Sequence, residues 1–149
     1  MASSLAQVYG RERNAVDAIT TEMANNASAF LRCLEATKAR NGELAEQMAA
    51  LQEQGLIYAT LYWRPDKDGE DKYLYLHFPP ERGKERTRQY IGADPEKIAA
   101  AKTGIARAKH YDVLAAEQAE LRKRIDDAHL HLEQASFALA GKPRLYRAW

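Results

Sequence analysis

A chain of 149 residues with 22 basic and 21 acidic side chains carries a formal net charge of +1. This balance excludes a uniformly basic nucleic-acid coat protein, so any nucleic-acid binding must use a local patch. The sequence contains no apolar run of about 18 residues and no basic stretch followed by an apolar one, so neither a transmembrane helix nor a signal peptide is expected. The single cysteine, Cys33, excludes an internal disulfide and fits a cytoplasmic location.

Residues 4–54 are expected to form one long helix, with Gly10 as a candidate break point and Gly55 as the stop. Apolar or small side chains recur in it at alternating steps of three and four residues, the heptad spacing of helices that pack lengthwise. This predicted seam consists of Val16, Thr20, Met23, Ala27, Phe30, Leu34, Thr37, Asn41, Leu44, Met48 and Leu51.

Residues 56–92 are expected to form an antiparallel β-meander, with strands at 56–64, 73–78 and 86–91. Two turn-forming stretches, each with proline and glycine, separate the strands. Because side chains alternate along a strand, the sheet divides into two faces. The apolar face, expected to be the core, carries Ile57, Ala59, Leu61, Trp63, Leu74, Leu76, Phe78 and Ile91.

The opposite face of this predicted sheet combines aromatic and basic side chains. Its members are Tyr58, Tyr62, Arg64, Tyr73, Tyr75, His77, Arg86, Arg88 and Tyr90. Phenol rings stack on bases or pack against a partner protein, and guanidinium groups reach phosphates and base edges. The pattern therefore predicts a binding surface, while cross-strand packing beneath a helix or a second subunit is the structural alternative.

The turn before the third strand adds Arg82 and Lys84 to the two arginines of that strand. Such a basic rim can grip a phosphate backbone, or it can keep a sheet edge from aggregating. The first turn, from Asp66 to Asp71, carries four acids and one lysine, so it would repel a phosphate. Only part of the rim is therefore expected to face nucleic acid.

Residues 94–140 are expected to form a second long helix, because Asp94 suits the N-cap and Pro95 the first helical position. A basic, aromatic tail of residues 141–149 follows. The first apolar stripe, assigned to the sheet, is Ile98, Ala101, Ile105 and Ala108. The second, assigned to the first helix, is Leu114, Gln118, Leu121, Ile125, Ala128, Leu132, Ala135 and Leu139.

These segments predict a single α+β domain over residues 1–149. Its architecture is a long antiparallel, coiled-coil-like helical hairpin with an inserted three-stranded antiparallel β-meander. Both helical stripes are rich in alanine and bury little area per layer, and pairing of two chains makes up that deficit. A homodimer through the helices is therefore expected.

Motifs of catalysis and cofactor binding are absent from the sequence. It contains no Gly-rich phosphate loop and no GxSxG, HExxH or CxxC pattern. His129 and Glu133 share a helix face, but two ligands do not make a metal site. We therefore expect no enzymatic activity, no cofactor and no bound metal.

The middle segment has a further pattern. The strand Tyr73-Leu74-Tyr75-Leu76, a basic turn, the strand Thr87-Arg88-Gln89-Tyr90-Ile91-Gly92 and a capped helix follow one another. Over residues 56–112 this order resembles the arm-type DNA-binding modules of tyrosine recombinases, and it is similar to uncharacterised prokaryotic proteins of mobile elements.

In the recombinase modules the sheet enters the major groove of DNA. The resemblance thus implies DNA contacts for Tyr62, Arg64, Tyr75, Arg86 and Arg88. The chain departs from those modules in its acidic first turn and near-neutral charge, and it has no recombinase catalytic domain.

Two functions are compatible with these features. The first is a non-enzymatic nucleic-acid-binding protein of a prokaryote, phage or mobile element, with DNA as the expected ligand. The alternative is a protein-interaction or inhibitor module, such as a phage protein that blocks a host complex, because tyrosine and arginine are also typical of protein hot spots. It would use the helical hairpin or the tyrosine face.

Overall fold

The computed structural model describes residues 2–142. Along the chain it contains helix α1 (Ala2–Gln54), strands β1 (Thr60–Pro65), β2 (Asp71–His77) and β3 (Arg88–Gly92), and helix α2 (Pro95–Leu139). The predicted α+β class is confirmed, since a three-stranded antiparallel sheet is inserted between two long helices.

These described residues divide into two compact units, one that ends at Gly42 and one that begins at Glu43. Helix α1 is continuous through Gly10, so the candidate break there does not occur. From Pro143 onward the predicted tail lies outside the described residues.

The first unit is helical and has no buried side chain among its described residues. Its predicted seam is exposed at Val16 (58%), Met23 (46%) and Leu34 (39%). In the second unit, the far half of α2 likewise exposes Leu132 and Leu139. Apolar heptad positions therefore remain available on both helices.

Within the second unit, the last turns of α1 run antiparallel to α2. Leu44 is fully buried in a cluster with Leu114 and Leu121, and partly buried Met48 and Leu51 pack against it. Nearer the end of the helix, the amide of Gln52 donates to the hydroxyl of Tyr111 at 3.2 Å. These contacts agree with the predicted pairing of the two apolar stripes in this part of the chain.

The sheet is a meander in the order β1-β2-β3, and its core face is largely as predicted. Leu74 and Leu76 are fully or almost fully buried against Ala101 of α2. All seven partly buried members of the cluster were expected on that face or on the first stripe of α2: Ile57, Ala59, Trp63, Phe78, Ile91, Ile98 and Ile105. Leu61 is the exception, because 38% of it stays exposed.

Two strands begin later than predicted. Residues 56–59 do not join β1, because the amide of Ile57 donates to the carbonyl of Gly104 on α2 at 3.1 Å instead of to β2. The third strand also begins later than predicted. The amide of Phe78 donates to the carbonyl of Thr87, but β3 itself starts only at Arg88. The predicted starts at residues 56 and 86 are therefore wrong, and Tyr58 and Arg86 lie outside the strands.

Helix α2 begins and ends as the sequence indicates. The Asp94 carboxylate accepts from the amide of Glu96 at 3.0 Å, with Pro95 as the first helical residue. At the other end, Gly141 has a φ of +70°, and the amide of Lys142 donates to the carbonyl of Phe137. The left-handed Gly141 and this hydrogen bond across five residues form a Schellman motif, which ends the helix.

Candidate functional site

The exposed face of the sheet holds a group of rings that we call the aromatic row: Tyr62, Tyr75, Tyr90 and His77. Tyr62 of β1 is paired with Tyr75 of β2, which is paired with Tyr90 of β3. The ring centroids of Tyr62 and Tyr75 are 6.5 Å apart at 65°, and those of Tyr75 and Tyr90 are 5.0 Å apart at 51°. His77 stacks on Tyr62 at 4.7 Å and 16°.

A β-bulge sets this alignment. Leu74 pairs with Gly92, so a regular ladder would place Ile91 opposite Tyr75. The register shifts by one residue between Leu74 and Tyr75, which brings Tyr90 opposite Tyr75 and leaves Ile91 with the core cluster. The bulge thus completes the row with one tyrosine from each strand.

The row forms a surface instead of a core. Tyr62 is 51% and Tyr90 58% exposed, while Tyr75 and His77 between them are half-buried. Helix α2 packs on the opposite face of the sheet, against Leu74. Packing beneath a helix of the second unit therefore does not account for the rings.

Exposed arginines lie at two diagonally opposite ends of the row. Arg64 is paired with Tyr73 at the end of β1, and Arg88 is paired with His77 at the start of β3. Neither forms an ion pair with another residue in the described part of the chain. Both guanidinium groups are thus available to an anionic partner.

A groove of about 720 Å³ runs beside the row at the Arg64 end. Tyr73, Tyr75 and Tyr90 line it, together with Lys72, whose ammonium lies 5.7 Å from the centroid of the Tyr73 ring. The groove therefore offers aromatic surface and positive charge side by side.

The acidic turn closes the same groove. Asp66 lines it, and the carboxylate of Asp66 accepts from the amides of Asp68 and Glu70 at 2.8 and 3.1 Å. These bonds fix a negative charge at this end of the sheet. This negative charge offsets part of the positive charge of Arg64 and Lys72 in the same groove.

Tyr58 lies apart from the row. Its hydroxyl donates to Oδ1 of Asp112 on α2 at 2.8 Å, and this bond to a carboxylate raises the pKa of the phenol. Arg86 and Tyr58 line one separate cleft. The predicted single face is therefore divided, because these two residues precede the strands to which they had been assigned.

The two remaining basic candidates belong to the turn between β2 and β3. Arg82 and Lys84 are both exposed, and the Lys84 ammonium lies 2.9 Å from the Glu81 carboxylate. Both groups of that pair are 74% exposed, so water screens it strongly. The Glu81 carboxylate still lowers the net charge of this turn by one.

Metal-ligating and membrane-spanning features do not occur in the part of the chain that the structure describes. It contains no group of three or more His, Cys, Asp or Glu side chains that could hold a metal ion. Over the same residues, neither helix has an apolar stretch sufficient to span a membrane. Cys33 is exposed on α1.

Comparisons with protein-family models, with curated proteins and with solved structures found no match to the chain. The resemblance to recombinase arm modules therefore stays a prediction.

Proposed function

We propose that the protein binds nucleic acid, with DNA as the ligand, through the aromatic row and the arginines at its ends. The supporting observation is the register of Tyr62, Tyr75 and Tyr90, which lines up one ring from each strand and leaves the two outer rings more than half exposed. Burying these rings against a ligand removes apolar area from water, and each stacked base contributes about 1–3 kcal/mol.

The arrangement also supports a division of roles. Neighbouring tyrosine rings are tilted relative to each other by 65° and 51°, so the row offers ring edges and hydroxyls as well as ring faces. Arg64 and Arg88 can reach phosphates or the acceptor edge of guanine. The protein acts by binding, without catalysis, in the cytoplasm of a prokaryote or as a product of a phage or mobile element.

We further propose that two copies pair through the apolar seam of the first unit. Val16 and Met23 are exposed one heptad apart, and Ile19 and Leu31 add exposed apolar area on the same helix. A heptad seam is complementary to itself, so a second copy is the partner that covers it with the same spacing. A dimer would present two aromatic rows and therefore bind two-part sites.

The alternative is a protein partner for the same face. It is favoured by the net charge of +1 and by the fixed negative charge of Asp66 at one end of the row. Exposed tyrosines and arginines are typical anchors of protein interfaces. The two functions differ in their dependence on salt, since only counterion release from nucleic acid gives a steep loss of affinity.

Fluorescence anisotropy with labelled duplex and single-stranded DNA, measured from 50 to 200 mM salt, tests the proposal. We expect affinity to fall steeply with salt. The double variant Arg64→Gln/Arg88→Gln should weaken binding and flatten the slope by about one for each phosphate that the protein no longer neutralises. The matched control Arg122→Gln/Lys123→Gln removes the same charge from α2 and should leave the slope unchanged.

Absence of DNA and RNA binding by the parent protein at low salt would contradict the proposal. Equal reductions of affinity in the two double variants would also contradict it, because the effect would then follow net charge and not the position of Arg64 and Arg88. Retention of a source-lysate partner after nuclease treatment, together with no DNA or RNA binding, would support the alternative.

A further inference from the structure

A cleft of about 360 Å³ lies in the second unit on the α2 side of Tyr58. Residues 57–60, the end of β2 with the segment that follows it, and α2 form its walls. Its volume lies within the usual range of about 300–1,000 Å³ for small-molecule sites. The cleft is separate from the aromatic row, except that His77 belongs to the row and also lines the cleft.

Most of the cleft wall is apolar. Phe78, which follows β2, lines it together with Ile105 and Ala108 of α2. The prolines that follow Phe78 and the ring of Tyr58 extend the wall. Flat rings and prolines favour a planar ligand, which can pack face-on or edge-on against them.

The charged groups at the cleft leave one positive charge in excess. Arg86 and Lys109 line it, and Asp112 is the one carboxylate in its wall, so the sum is two positive charges minus one. The Tyr58 hydroxyl already donates to Asp112. Arg86 and Lys109 make no ion pair with any residue that the structure describes. A monoanion would balance this charge.

His77, which lines the cleft, also carries an unsatisfied polar atom. Nε2 of His77 is buried and has no hydrogen-bond partner in the described structure. Leaving such an atom unpaired is unfavourable, so its retention calls for an explanation. A ligand in the cleft that reaches Nε2 would satisfy it.

From these features we propose that the cleft binds a small aromatic monocarboxylate. The planar body packs against Phe78 and the apolar side chains of α2. The carboxylate lies between Arg86 and Lys109 and accepts a hydrogen bond from the Nε2–H group of His77. This site does not depend on nucleic-acid binding by the aromatic row.

Amide NMR spectra of the full chain, titrated with benzoate, test the proposal. We expect shifts confined to residues 57–60, Phe78 and residues 105–112, with much weaker shifts for benzamide, which has the same shape without the charge. Lys109→Gln should weaken benzoate binding about fivefold, the amount expected of one partly exposed charge pair. Lys123→Gln makes the same change on a distant part of α2 and should have no effect.

A second variant separates ring shape from hydrogen bonding. His77→Phe keeps a flat ring but removes Nε2, so it should weaken benzoate binding while the amide spectrum stays that of a folded protein. The proposal is overturned if millimolar benzoate causes no shifts at the cleft, or if benzamide binds as well as benzoate. It is also overturned if Lys109→Gln and Lys123→Gln have equal effects, or if inorganic phosphate binds there and benzoate does not.

Discussion

The side chain of Ile57 occupies the space beside Gly104 that a methyl group would need. A Cβ at position 104 would lie 2.7 Å from Cγ1 of Ile57 and closer still to Cδ1. The backbone of the same two residues is joined, since the Ile57 amide donates to the Gly104 carbonyl at 3.1 Å. The segment before β1 is thereby held against α2, which places Tyr58 at the cleft.

Gly104→Ala is therefore expected to destabilise the second unit, although alanine favours a helix by about 1 kcal/mol over glycine. The overlap with Ile57 forces side chains or backbone apart, at a cost of about 1–3 kcal/mol. Thermal unfolding followed by circular dichroism checks the sign. Gly42→Ala is the control: it is also helical, has nothing within 4 Å of an added Cβ, and should not lower the melting temperature.

An equal or higher melting temperature for Gly104→Ala would contradict the close approach of Ile57. In that case the segment before β1 could move away from α2 at no cost in stability, and the geometry of the cleft would not be fixed by this contact.

His77→Phe should raise the free energy of unfolding by about 1 kcal/mol. The buried Nε2 lacks a partner, and replacing it with a ring carbon removes that desolvation cost while the stack on Tyr62 is kept. Urea unfolding measures the difference. His131→Phe, on the exposed surface of α2, should change stability by less than about 0.5 kcal/mol. A destabilised His77→Phe would show that Nε2 has a partner in solution.

The order of the elements and both faces of the sheet follow from local signals in the sequence. Period-two alternation places Leu74 and Leu76 inside and the tyrosines outside, and Asp94 with Pro95 marks the start of α2. Such signals depend on neighbouring residues alone, so they can be recognised without tertiary information.

The start of β1 depends on a tertiary contact, so period-two alternation alone places it too early. Alternation continues through Ile57 and Tyr58, but the hydrogen bond to Gly104 takes that segment out of the sheet. Gly104, within the apolar stripe of α2, is the sign in the sequence that another segment approaches the helix closely there. The bulge that leaves Ile91 unpaired has no comparable local sign.

Tyr58 gives a prediction about pH. Its hydroxyl donates to Asp112, which raises the pKa of the phenol because ionisation would break this bond and place two anions together. The pKa of Tyr58 in the folded protein exceeds the unfolded value of about 10. The full contribution of the bond to the free energy of unfolding is therefore present below about pH 10. This contribution disappears as pH rises through the folded pKa.

An alkaline titration followed by tyrosinate absorbance tests the raised pKa of Tyr58. One phenol of the parent should ionise above the ordinary range, and its signal should disappear in Tyr58→Phe. Asp112→Asn should shift that phenol back toward about 10, since the amide carries no charge. An unchanged titration curve for Asp112→Asn would rule out the carboxylate as the cause.

The exposed seam of α1 predicts self-association. Val16→Glu/Met23→Glu places charges on two exposed apolar positions one heptad apart and should convert a dimer to a monomer in sedimentation equilibrium. Ala18→Glu/Asn25→Glu adds the same charges on the opposite side of the helix and should leave the dimer intact. A parent protein that stays monomeric at high concentration would refute the proposed pairing.

The aromatic row and the arginines should have separable effects on DNA binding. Tyr62→Leu/Tyr90→Leu is expected to lower affinity tenfold or more, because each base stacked on a ring is worth about 1–3 kcal/mol. Its salt slope should match the parent, since no charge is removed, whereas Arg64→Gln/Arg88→Gln should flatten it. Tyr58→Leu should leave both affinity and slope unchanged, because its hydroxyl is bonded to Asp112 away from the row. Equal reductions of affinity for Tyr58→Leu and the row variant would instead indicate that the binding surface extends across the cleft.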